Sequence, residues 1–151
     1  MKKKLTTFII ACAIGTSIYA GGNTGLGLRI STFSDATDFG ITLNHHFARG
    51  TTLEGIAEFP NSAVIITGLY EKFHSLTQSH TFFFYYGGGI YIGTGGGATS
   101  AGLRGAIGLS YGFKDLPIEI SVDWMPALQI TPKVTADNTL GIFGLSARFT
   151  F

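Results

Sequence analysis

From Thr24 to Phe151 the chain alternates between large apolar residues and small or polar ones. Around 117–126, Ile118, Ile120, Val122 and Trp124 fall in one row, and Glu119, Ser121 and Asp123 in the other. Around 101–113, Leu103, Ile107, Leu109, Tyr111 and Phe113 oppose Arg104, Ala106, Gly108, Ser110 and Gly112. The final "TLGIFGLSARFTF" sets Phe143, Leu145, Ala147, Phe149 and Phe151 against Gly144, Ser146, Arg148 and Thr150. Residues two apart share one face of a strand, so this period predicts strands. Eight are predicted, at 24–33, 38–48, 51–59, 63–73, 81–92, 101–113, 117–126 and 139–151, and no stretch keeps a helical period. The first three alternate cleanly: Leu26, Leu28 and Ile30 against Gly27, Arg29 and Ser31; Phe39, Ile41, Leu43 and Phe47 against Gly40, Thr42, Asn44 and His46; Leu53, Gly55, Ala57 and Phe59 against Thr52, Glu54, Ile56 and Glu58. The fourth and fifth do not, because "AVIITGLY" and "FFFYY" are apolar on both faces. Pro60, Pro117, Pro126 and Pro132 sit at predicted strand edges or in loops, where a missing N–H does least harm.

Composition decides which row points inward. The chain is 45% hydrophobic and 13% charged, against about 25% charged in ordinary soluble domains. The polar rows of a soluble sandwich would be rich in Lys, Glu and Thr. Here they are rich in Gly, Ala and Ser, with one or two charges per strand. Small residues beside few charges suit a narrow interior, and large Leu, Ile, Phe and Tyr suit a wall against lipid. Each predicted strand is long enough to cross a bilayer when tilted. The sheet must then close, since an open edge in hydrocarbon leaves backbone groups unpaired. The expected fold is therefore all-β: a closed eight-stranded antiparallel up-and-down transmembrane β-barrel. A soluble sandwich with the faces reversed is the competing fold, and it predicts release with periplasmic contents.

The N-terminus predicts a secretory signal peptide over residues 1–20 and a barrel domain over 21–151. "MKKK" is the basic region, "LTTFIIACAIGTSI" the apolar core, and "IYA" precedes the cut after Ala20. The apolar core is too short to span a membrane as a helix. A second reading makes "IIAC" a lipobox with Cys12 lipidated. Cleavage after Ala20 removes the only cysteine and three lysines, taking the formal charge from +1 to −2. The mature chain then has no disulfide, no thiol chemistry and no basic patch for nucleic acid.

Alternation directs Arg29, Arg104 and Arg148 inward together with Glu54, Glu58, Glu119 and Asp123; Glu71 lies in a less clean strand. Eight strands enclose only enough room for interior side chains, so these charges must pair, and the planar fork of arginine matches a carboxylate at two points. The expected arrangement is a salt-bridge plug, with an ion path or a catalytic carboxylate pair as alternatives. His45 and His46 are adjacent and so point to opposite faces, which prevents chelation of one ion; His46 is expected in the lumen network and His45 near an interface. In "HSLTQSH", His74, Ser75 and His80 near Glu71 have the residue types of a hydrolase triad, but the segment reads as a turn. "GTGGGATSAG" lacks the following helix of a phosphate loop and is expected to be a flexible hairpin loop. The aromatics "FFFYY", Tyr91, Tyr111, Phe113 and Trp124 are expected at strand ends or on the lipid face. No cofactor or metal site is expected.

With its signal peptide, eight alternating segments and terminal "ARFTF", the chain resembles the small eight-stranded outer-membrane barrels of Gram-negative bacteria, the OmpA/OmpX type. The resemblance covers the whole mature chain. It implies residence in the outer membrane as a monomer among its lipids, with Phe149 and Phe151 read as the C-terminal signal for the barrel assembly machinery. It implies periplasmic termini, so that "SDAT", "PNS", "GTGGGATS" and "LQITPKVTADN" face outward; they are short for an adhesin, and Thr131 to Asn138 is the best place for an external contact. Expected function is structural or membrane-integrity related, without catalysis. A narrow passive pore is the next reading, and a lipid-modifying enzyme the third, although the contiguous "HS" departs from the deacylase motif and falls on the periplasmic side.

Overall fold

The computed structural model describes residues 23–33, 36–47, 50–132 and 141–151. The predicted signal peptide, most of the last outward loop and the start of the eighth predicted strand lie outside the described residues. Nine strands follow in order: β1 (Thr24–Phe33), β2 (Ala36–Phe47), β3 (Thr51–Glu58), β4 (Ala63–Ser75), β5 (Phe82–Gly95), β6 (Ala98–Gly112), β7 (Ile118–Met125), β8 (Ala127–Thr131) and β9 (Ile142–Thr150). All pairings are antiparallel, in the order β5-β4-β3-β2-β1-β9-β7-β6, and β6 pairs back onto β5. β7 and β8 lie end to end along β6 with only Pro126 between them. They form one stave, so the molecule is a closed eight-stranded up-and-down barrel.

Three boundaries differ from expectation. The seventh stave does not stop at Pro126 but continues to Thr131, because the Pro126 carbonyl still accepts a bond from the Gly105 N–H at 2.8 Å. The ladder then shifts register between Ala101 and Gly102, as at a bulge. The glycine-rich segment is mostly strand: β5 and β6 pair up to Gly95↔Ala98, and the loop shrinks to Gly96 and Gly97. Their φ angles of 59° and 79° are those of a tight hairpin turn, which glycine adopts without steric penalty. β4 runs on to Ser75, leaving a shorter turn before β5. At the other end, Phe151 and Thr24 exchange backbone hydrogen bonds at 2.8 and 3.2 Å, joining the last strand to the first.

Polarity is inverted across the wall. Among the described residues, sixteen polar or charged side chains are buried, against seven apolar or aromatic ones. Thirty large hydrophobic side chains are exposed, Leu28 at 70% among them. The buried apolar cluster is only Ile56, Leu69, Ala106 and Met125. Such a core is far smaller than the one that drives folding of a water-soluble domain.

Candidate functional site

Inward-pointing charges and hydroxyls form two clusters. The first is built around Arg29, central on β1 and 1% exposed. Its Nη1 and Nη2 donate to the two oxygens of Asp123 on β7 at 2.8 and 2.5 Å. Nη1 also reaches Ser146 Oγ at 3.1 Å, and Nε reaches Ser31 Oγ at 3.0 Å. Tyr85 OH donates to the same Asp123 carboxylate at 2.9 Å. Ser31 Oγ passes the chain to Glu58 at 2.5 Å, and Glu58 accepts from Arg104 Nη1 at 3.0 Å. Arg104 also donates to Thr67 Oγ1 at 2.8 Å, with its guanidinium 4.8 Å from the centre of the Tyr91 ring. Gly144, opposite Ser31 on β9, makes the room for Arg29: a Cβ there would overlap the guanidinium.

The second cluster surrounds Arg148 on β9, 2% exposed. Its guanidinium pairs with Glu54 on β3 and donates to Glu119 at 2.7 Å, Ser121 at 2.9 Å and Thr42 at 3.2 Å. Thr42 donates onward to Glu54, and Asn44 Nδ2 donates to Glu119 at 3.2 Å. His46 continues the row, with Nε2 3.1 Å from Glu119 and Nδ1 2.7 Å from Thr52 Oγ1. Arg104–Glu58 and Arg148–Glu54 each tie staves three positions apart around the barrel. These pairs cross the lumen rather than following the wall. Arginine suits the task, since one guanidinium offers five donors in a fixed plane.

The seven charges expected inward, Arg29, Glu54, Glu58, Arg104, Glu119, Asp123 and Arg148, are all buried and all in ion pairs. Phe149 is exposed on the outer wall, and Phe151 is half-buried beside Thr24. His46 joins the lumen while His45 sits outside, bonded to Thr24 at 2.8 Å. Glu71 and His74 fall on opposite faces of β4: Glu71 is buried inside, and His74 is exposed with its ring stacked on Tyr86. Ser75 Oγ donates to the Thr77 carbonyl at 2.7 Å. The residues of the hydrolase reading are therefore not brought together.

Tyr91 corrects the aromatic assignment. It is buried inside against Arg104, not on the outer wall. Tyr85 also points inward, where Phe73 stacks on it at 4.7 Å. The signal that places them is their pairing with glycine on β6, Tyr85↔Gly108 and Tyr91↔Gly102, which leaves space for a ring inside.

Glu71 stands apart from both clusters. It is 1% exposed, and neither carboxylate oxygen has a hydrogen-bond partner. Among the described residues three buried arginines face five buried carboxyl groups, and Glu71 is the one without a hydrogen bond. Glu71→Gln keeps the shape and replaces a buried carboxyl that has no hydrogen-bond partner. The urea-unfolding midpoint of the refolded protein should stay unchanged or rise by on the order of 1 kcal/mol. A fall of that size would mean the carboxylate has a stabilising partner.

Searches against protein-family models and curated proteins find no match for this chain.

Proposed function

We propose that this protein is an integral β-barrel of a bacterial outer membrane, with a structural or membrane-integrity role, a plugged lumen and no catalysis. One observation carries the reading: the inversion of polarity, with thirty large hydrophobics exposed outside and ion pairs buried inside. A wall of that kind is unfavourable in water and favourable in hydrocarbon at roughly 25 cal/mol per Å² of apolar surface covered. The closed ladder fits the same reading, because it leaves no strand edge to pair in lipid. The plug is supported by cross-lumen pairs that occupy the interior. A monomer is the simplest form, since the barrel closes on itself.

The competing reading is a narrow passive pore. Among the described residues four ion-paired carboxylates, Glu54, Glu58, Glu119 and Asp123, against three arginines would favour cations in any such path. Planar-bilayer recording of the refolded protein separates the two. The plug predicts no unitary conductance, for wild type and for Glu71→Gln alike. Cation-selective steps in wild type would replace the plug with a pore. Lipid A from expressing cells, compared by mass spectrometry with that of cells lacking the protein, should be unchanged; a shortened or added acyl chain would establish an enzyme instead.

A further inference from the structure

Glycines on the inward rows answer to the barrel's own packing. A Cβ at Gly27, Gly87 or Gly89 would overlap the neighbouring backbone, and one at Gly144 the Arg29 guanidinium. Three outward glycines have no such reason. Gly55 on β3, Gly68 on β4 and Gly88 on β5 lie on adjacent staves, with Gly55 directly opposite Gly68. A Cβ at Gly68 would meet nothing within 4 Å, and one at Gly55 or Gly88 only a carbonyl oxygen at 4.0 or 3.5 Å. None of the three has a positive φ. Glycine inside a strand costs entropy and offers nothing to pack. Where the fold itself does not require it, it marks a place where something approaches the backbone from outside.

The missing side chains leave an open groove of about 670 Å³ in the outer wall. Exposed Leu43, Leu53, Tyr70 and Ile90 rise around its glycine floor. A second hollow, of about 520 Å³, shares Gly68 and Ile90 with the first and continues past Ile66. At the terminal end stands Lys72, the one formally charged side chain on the outward rows of the described strands. Its Nζ donates to Thr51 Oγ1 at 2.8 Å and lies 5.8 Å from the centre of the Tyr70 ring. An ammonium has three donors, and no carboxylate stands on those outward rows to take the other two.

Depth and charge together define the occupant. Lys72 to Ile66 is six residues along β4, about 20 Å of strand at ~3.3 Å per residue. With a tilt near ~40° that is about 15 Å of depth, half of the roughly 30 Å hydrocarbon core. A groove one leaflet deep with a cation at its mouth matches an acyl chain hanging below a phosphate. A second copy of the barrel fits less well. Two copies inserted the same way and related by a two-fold axis meet at equal depths, so Lys72 would face only Lys72. We propose that this groove holds one anionic phospholipid of the leaflet on the terminal side, with its phosphate on Lys72 and an acyl chain over Gly55, Gly68 and Gly88. The inference rests on the membrane reading above and adds a lipid-binding site to it.

The test uses the full barrel refolded into nanodiscs of equal parts phosphatidylglycerol and phosphatidylethanolamine, then released for native mass spectrometry. Wild type should retain one phosphatidylglycerol in preference to phosphatidylethanolamine. Lys72→Gln should reduce that preference about five-fold, the usual weight of one basic side chain at a lipid surface. Gly68→Leu enters open space, so the barrel should still close and migrate faster unboiled on a detergent gel. Its retention of either lipid should fall about ten-fold, the weight of about two displaced methylenes. Leu145→Ala, on the outer wall of β9 away from the groove, should behave as wild type. The proposal is overturned if wild type retains no lipid or both lipids equally, if Lys72→Gln or Gly68→Leu matches wild type, or if a dimer that Gly68→Leu abolishes appears in place of bound lipid. A protein that stays soluble and does not enter nanodiscs overturns the membrane reading as well; insertion without a lipid preference overturns this inference alone.

Discussion

Arg148→Ala is expected to destabilise the folded barrel by about 3–5 kcal/mol, the cost of breaking a buried ion pair from one side. Arg148 joins Glu54 and Glu119, and its guanidinium also satisfies Ser121 and Thr42. Alanine leaves both carboxylates buried without their cation; Glu119 keeps only His46 and Asn44, and Glu54 only Thr42. The measurement is the urea-unfolding midpoint in detergent, followed through the fluorescence of Trp124. A companion variant separates lost charge balance from lost packing. Arg148→Met combined with Glu54→Gln and Glu119→Gln removes the cation and both anions while keeping comparable volume. It should recover most of the loss, since replacing a whole buried ionic group is often neutral or stabilising. If Arg148→Ala costs less than about 1 kcal/mol, the figure for an exposed pair, the cluster is hydrated and does not plug the lumen.

Leu28→Arg should cost about 2–4 kcal/mol in phospholipid vesicles, the penalty for arginine at the bilayer midplane on a barrel wall. Leu28 is 70% exposed and lies midway along β1, beside the inward Arg29. The same substitution on a wall that faces water should fall within about 0.5 kcal/mol. The side chain has room in either case, so the difference reports the medium and not the packing. Unfolding from vesicles, compared for Leu28→Arg and Leu28→Ala, gives the answer. A near-zero penalty would remove the hydrocarbon-facing wall from the account.

The fold was legible wherever a strand sets large residues against small ones. In β6 and β7, Leu109 and Val122 against Ser110 and Ser121 fix both the strand and its inward face without further information. β4 and β5 were not legible in this way, because Leu69 on β4 is buried inside and Tyr85 and Tyr91 on β5 occupy lumen space opposite glycines of β6. Alternation of polarity fails when the inner row is itself apolar; only the register restores it. Pro126 hid the continuation into β8, since its effect depends on which ladder its missing N–H would have served. The site divides similarly. Each charged residue could be assigned a face from its neighbours, but not a partner. Arg29 meets Asp123 across 94 residues of sequence, and that distance is set by closure of the barrel. The open space outside Gly68 belongs to the three-dimensional arrangement alone.

The central claim is that this is a closed barrel with its apolar side outward in a membrane. It is tested most directly by heat modifiability of the protein in the outer-membrane fraction, run boiled and unboiled on a detergent gel. The account predicts that the protein sediments with membranes and migrates faster unboiled, as a closed barrel that resists detergent. Recovery in the soluble periplasmic fraction, with no shift on boiling, would contradict it.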